Sequence, residues 1–284
     1  MRKKLIVGTS VAVAAAIAVT FLALRGREVA GNPTSTHGIV APAEAGEAPP
    51  RGEIGTTGKG MAAIEHAAKA GKYLFVFFYR ADTGETDAMR KVFRAAMAKA
   101  SDRAEWVEAN VADPSEEPLV RKFNVSRAPM PLALAVAPNG AIAGGFPAKF
   151  DENALLGAFV SPGMEKCLKA LQEQKLVILC AQNTSTESND AATKSAQDFK
   201  ADARFAQFTV IVRIDPADAA EGKFMARLRI EPKTAEAITA LLAPPGVVVG
   251  TFKGGVAKDA LVSAFVAATS GGCGSGGCGP SGCN

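Results

Sequence analysis

The run Tyr73-Leu74-Phe75-Val76-Phe77-Phe78-Tyr79 decides the fold. Seven successive apolar or aromatic residues without polar alternation cannot sit half exposed, so this strand is expected at the centre of a sheet covered on both faces. Such cover calls for helices on either side. Upstream, Met61, Ile64 and Ala68 recur at helical spacing. Downstream of a polar turn at 80–87, Met89, Val92, Phe93, Ala96, Met97 and Ala100 make one stripe of an amphipathic helix, with Arg90, Lys91, Arg94 and Lys99 off it. That stripe reads as core. Residues 106–111 predict a second strand, 116–123 a short helix and 132–137 a third strand; Asn139-Gly140 turns the chain into 141–145, and 151–160 closes as a helix. This order, opened by a helix, predicts a mixed sheet between helix layers.

The pattern recurs. Met61 through Lys72 and Met164 through Lys175 are equal steps, about 103 residues apart, each followed by a strand-like run at 73–79 or 176–181. Trp106 to Asp113-Pro114 is answered by Phe208 to Asp215-Pro216, and Ala137-Pro138-Asn139-Gly140 by Ala243-Pro244-Pro245-Gly246. Landmarks in one order with little drift imply two copies of one architecture.

That order and the residues at its joints resemble the thioredoxin family, in particular its exported bacterial branch, which opens with an Ala-rich helix and a Gly-Lys before the first central strand. Here the opening is Ala63-Ile64-Glu65-His66-Ala67-Ala68-Lys69-Ala70-Gly71-Lys72. The resemblance covers about residues 60–160 and, more weakly, 163–268. It implies a Cys-x-x-Cys at the helix after the strand, where this chain has Thr83-Gly84-Glu85-Thr86, and a cis-proline before the third strand, which Pro131 matches with Gly140 nine residues on. In the second copy, 181–190 is polar and cysteine-free after Cys180, and the cis-proline position falls at Ala237. A thioredoxin nucleophile must be a thiolate with a resolving partner, and a threonine hydroxyl supplies neither. Thr83 and Thr86 are therefore expected to cap the helix, with ligand contact through the helix N-terminus and Pro131 as the alternative.

Five cysteines fall into two kinds. Cys167 shares an apolar helical stripe with Met164, Leu168 and Leu171, and Cys180 ends the apolar strand 176–180; both read as core thiols, with a helix-to-strand disulfide as the alternative. Cys273, Cys278 and Cys283 lie in a Gly/Ser tail. Three readings of the tail stand: an inert low-complexity end, a thiolate site for Zn(II) or Cu(I), or a redox-active set in an oxidising compartment.

Composition bounds the function. In 284 residues, 48% apolar and 21% charged, a globular class is expected. The net charge is +4, but Arg2, Lys3, Lys4, Arg25 and Arg27 precede every acid, which leaves the remainder about neutral and without a basic footprint for nucleic acid. The two histidines, His37 and His66, leave little for a His-based metal centre or a hydrolytic triad. Residues 5–24 are uncharged and long enough for a helix spanning a bilayer, with basic residues before them, so an uncleaved anchor holding the domains outside the cytoplasm is expected; cleavage and secretion is the alternative.

The expected architecture is α/β: two tandem thioredoxin-like domains, each a mixed central sheet flanked by helices, after an N-terminal transmembrane helix. The expected divisions are 1–28 anchor or signal segment, 29–59 flexible linker, 60–161 first domain, 162–270 second domain and 271–284 Gly/Cys-rich tail. The expected function is non-enzymatic: a single-pass, membrane-tethered, redox-inactive module that binds or scaffolds an extracytoplasmic protein through Thr83, Gly84, Glu85, Thr86 and Pro131. The alternative is thiol-disulfide or metal chemistry at the tail cysteines.

Overall fold

The computed structural model describes residues 58–270. The expected anchor, nearly all of the linker, His37 and the tail with Cys273, Cys278 and Cys283 lie outside the described residues. Among the described residues, no helix is long and apolar enough to cross a membrane.

The first half runs α1 (Lys59–Lys69), β1 (Tyr73–Tyr79), α2 (Gly84–Lys99), β2 (Ala104–Asn110), α3 (Glu117–Phe123), β3 (Leu132–Val136), β4 (Ile142–Pro147) and α4 (Glu152–Leu156). The second repeats the order: α5 (Pro162–Gln172), β5 (Leu176–Ala181), α6 (Asn189–Ala201), β6 (Thr209–Ile214), α7 (Gly222–Arg227), β7 (Ile238–Ala243), β8 (Val247–Lys253) and α8 (Lys258–Ser270). The sheets are ordered β2-β1-β3-β4 and β6-β5-β7-β8. In each, the first two strands are parallel and the last two antiparallel to their neighbours.

β1 is covered on both sides because successive side chains point to opposite faces. Tyr73, Phe75 and Phe77 meet Phe93, Met97 and Leu155 on one face, while Leu74, Val76 and Phe78 meet Ala67, Leu119 and Val120 on the other. Each fully buried Phe contributes roughly 2–3 kcal/mol of transfer free energy. β5 divides its residues likewise, Val177, Leu179 and Ala181 to one core and Leu176, Ile178 and Cys180 to the other.

Three local features differ from the sequence reading. α2 starts at Gly84, inside the segment read as a polar turn, because Thr83 caps it and Glu85 and Asp87 favour its positive end. The closing helix is only Glu152–Leu156; beyond it Phe159 folds back onto Tyr73 and Phe75, with the Arg103 guanidinium 3.9 Å from its ring centre. Arg90, read as lying off the core stripe, has a side chain only 14% exposed.

One device occurs in both halves. The backbone N–H of Gly60, in the first turn of α1, donates to both carboxylate oxygens of Glu116, at 3.2 and 3.1 Å. At the matching place in α5, the N–H of Gly163 donates to Glu221 at 2.7 Å. Both glutamates are buried, and each satisfies a helix-terminal donor that has no partner within its helix. The glycines are required by space: a Cβ on Gly60 would lie 2.4 Å from the Leu119 side chain, and one on Gly163 2.4 Å from that of Ile214.

The halves meet where α5 follows the first sheet. The Tyr73 hydroxyl donates to Glu165 at 2.6 Å and accepts from the Val160 N–H at 3.1 Å. Burial and the Glu165 carboxylate hold this phenol well above its ordinary pKa, so it remains a neutral donor.

Candidate binding face

The face implied by the family resemblance lies at the C-terminal end of β1. Thr83 is the N-cap of α2 in extended conformation; its hydroxyl oxygen accepts from the Thr86 N–H at 3.2 Å and its hydroxyl donates to that of Thr86 at 3.1 Å. Thr86 is buried, whereas Thr83, Gly84 and Glu85 are exposed. Leu132 pairs with Phe78, which puts Pro131 at the same end of the sheet, and the Met130–Pro131 peptide bond is cis. Arg80 ties the two segments by donating to the Ser126 carbonyl at 3.0 Å. The structure thus brings the Thr83 turn and Pro131 to one sheet end, with hydroxyls where a dithiol would stand.

Beside this face lies a charged cluster that the sequence reading missed. Arg90 donates to Asp82 and Asp87, both at 2.5 Å, its Nε lies 3.0 Å from Glu108, and its guanidinium sits 4.8 Å from the centre of the Tyr79 ring. Its pKa is raised, first by the Asp82 bond. Tyr79, Asp82, Asp87, Arg90 and Glu108 line a shallow cleft of about 500 Å³. The i, i+3 spacing of Asp87 and Arg90 was readable; Glu108 comes from β2 and was not.

The second half closes the corresponding face with its own chain. The loop before α6 forms a parallel bridge to the segment before β7: the Glu187 N–H donates to the Ala235 carbonyl, and the Ala237 N–H to the Glu187 carbonyl, each at 2.9 Å. Ala237, at the cis-proline position, is completely buried. Thr186 locks the loop by donating to Asn189 at 2.6 Å and accepting from the Asn183 N–H at 2.9 Å. In the first half the Pro129 carbonyl, which answers to that of Ala235, receives no hydrogen bond among the described residues, Pro131 has no N–H to donate where Ala237 does, and the Met130 N–H and carbonyl are open.

Cys167 and Cys180 are free and buried on opposite faces of the second sheet, which removes the helix-to-strand disulfide. Burial pushes the Cys167 thiol up to about 12 and the Cys180 thiol up to about 11. Neither forms thiolate at neutral pH, so neither is a nucleophile. With Cys273, Cys278 and Cys283 changed to Ser, the native protein is expected to give no rapid thiol titre at pH 8, and the denatured protein two thiols. The same variant is expected not to reduce insulin; turnover lost on Cys167→Ala or Cys180→Ala would place a reactive thiol in the fold.

Among the described residues, no group of three or more His, Cys, Asp or Glu side chains is arranged to hold a metal ion. His66 instead pairs with Glu105 at 2.7 Å on the surface.

No protein-family profile and no curated protein sequence matches the chain. Solved structures do. The germline thioredoxin Deadhead of Drosophila melanogaster aligns at 19% identity, over 36% of this chain and 93% of its own, with a TM-score of 0.29. Thioredoxin O2 of Arabidopsis thaliana, in its oxidised state, aligns at 17% identity, over 38% and 85%, with a TM-score of 0.29. The first two thioredoxin domains of Saccharomyces cerevisiae Eps1p align at 10% identity, over 76% and 98%, with a TM-score of 0.28. Strand order, strand direction and the helix placed after β1 and after β5 give two four-stranded mixed sheets flanked by helices, the arrangement expected from the sequence.

Proposed function

We propose that the chain is a membrane-tethered, extracytoplasmic and redox-inactive module whose first half binds an extended segment of a protein partner between Thr83 and Pro131. The observation that supports this reading is the contrast at Met130. Its backbone N–H and carbonyl are open beside a cis-proline, and the Pro129 carbonyl next to it lacks the partner that Glu187 gives the answering Ala235 carbonyl in the second half. An extended segment gains main-chain hydrogen bonds at such an open position, and neighbouring pockets give it specificity. The exposed Thr83, Gly84 and Glu85 at the N-terminus of α2 form the opposite wall. Redox inactivity of the folded halves is supported by the hydroxyls of Thr83 and Thr86 and by the burial of Cys167 and Cys180. The tether rests on the uncharged stretch 5–24 and its basic flank.

A photoreactive amino acid at Met130 of the full chain, in the membrane of its host, is expected to give a discrete protein adduct. The same residue at Glu236, which is exposed but whose neighbours Ala235 and Ala237 already hold the chain's own Glu187, is expected to give none. Equal adducts at both positions, or none at Met130, would remove the proposal.

A further inference from the structure

The two halves treat the same sheet edge differently. β4 is the edge strand of the first sheet, and α5 lies against it. Gln172 makes a paired contact there: its Nε2 donates to the Ile142 carbonyl at 2.8 Å and its Oε1 accepts from the Ile142 N–H at 2.9 Å. One turn earlier, Leu168 packs on the aromatic core of the first half. In the hairpin turn, Asn139 donates to the Glu165 carbonyl at 2.9 Å.

β8 is the equivalent edge of the second sheet. The registers match, since both hairpins shift at the same place, with Ile142 opposite Val136 and Val248 opposite Leu242. Ala141 is completely buried and Ile142 half-buried, whereas Val247 and Val248, at the matching positions, are 54% and 45% exposed. Residues 237–252 carry no charge, and the one charged side chain of β8, Lys253, stands at the opposite end of the strand from the turn. Among the described residues, an apolar pair thus stands uncovered where the first half receives a helix.

We infer that the β8 edge docks an amphipathic helix of a partner protein, one that presents an apolar residue and, a turn later, a side-chain amide. The occupant is defined by the contact that α5 makes with β4. The chain's own α1 does not qualify: where α5 has Leu168 and Gln172, α1 has Glu65 and Lys69, which would set charges on the valines. A second copy contributing its α1 is therefore not the partner. This edge is distinct from the Met130 face and does not depend on it.

The test uses a fluorescent peptide of residues 161–175 carrying Cys167→Ala, titrated with the full chain in detergent micelles and read by anisotropy. Saturable binding is expected. Val248→Lys in the full chain is expected to weaken it at least tenfold, and Gln172→Ala in the peptide about tenfold, as two hydrogen bonds are lost. Val248 is exposed, so the thermal midpoint of the Val248→Lys chain should match that of the parent, measured on the same samples. No binding overturns the inference. So does binding that Val248→Lys leaves undiminished, the signature of a peptide that displaces α5, or a β8-dependent dimer that Val248→Lys dissolves.

Discussion

Glu221→Ala is expected to lower the stability of the protein by about 3 kcal/mol, because it removes a buried carboxylate that holds two donors at the start of α5. Gly163 donates its N–H to one oxygen at 2.7 Å and Ser161 its hydroxyl to the other at 2.5 Å. Without the carboxylate the Gly163 N–H stays buried and unpaired, next to a cavity against Ile214. At about 2–4 °C per kcal/mol for a chain of this size, the thermal midpoint should fall by roughly 10 °C. The repeat supplies an internal comparison. Glu116→Ala should cost less, since its bonds to Gly60 are longer and Gly58, where Ser161 stands in the second half, offers no hydroxyl. Equal losses, or a loss under about 1 kcal/mol for Glu221→Ala in urea unfolding, would show that the carboxylate is not what holds the helix.

Arg90→Met is expected to cost about 2–3 kcal/mol, keeping the apolar stem and removing the charge that joins three segments. Asp82 precedes α2, Asp87 lies in its first turn and Glu108 lies on β2, and one guanidinium reaches all three. Its removal leaves Glu108, only 17% exposed, to Arg94 alone. Arg90→Lys should not restore the loss, because a single ammonium lacks the planar fork that serves several carboxylates together. Arg94→Ala is the control: that side chain is 57% exposed, and an exposed ion pair contributes less than about 1 kcal/mol. Similar losses from Arg90→Met and Arg94→Ala would mean that burial does not set the strength of the cluster. Near the candidate face, Arg90→Met should also loosen the turn at Thr83, visible as faster amide exchange at Thr86 and Asp87.

The central strands, the amphipathic helices and the repeat near 103 residues could be read from the chain because they are encoded locally. A continuous apolar run such as 73–79 has one environment that satisfies it, and a stripe such as Met89 to Ala100 has one face that can be buried. The absence of a dithiol was equally plain, since it needs only the identities of Thr83 and Thr86. The tertiary structure decided what joins residues distant in sequence: Gly60 with Glu116, Arg90 with Glu108, Gln172 with Ile142, and Glu187 with Ala235 and Ala237. Each is a polar contact whose partners follow no period, so neither residue announces the other. The same holds for the difference between the two faces. Pro131 already denies the first half the N–H that Ala237 donates, but packing alone decides that Glu187 is brought onto the segment before β7, because a backbone hydrogen bond depends on where the chain is placed rather than on which side chain it carries.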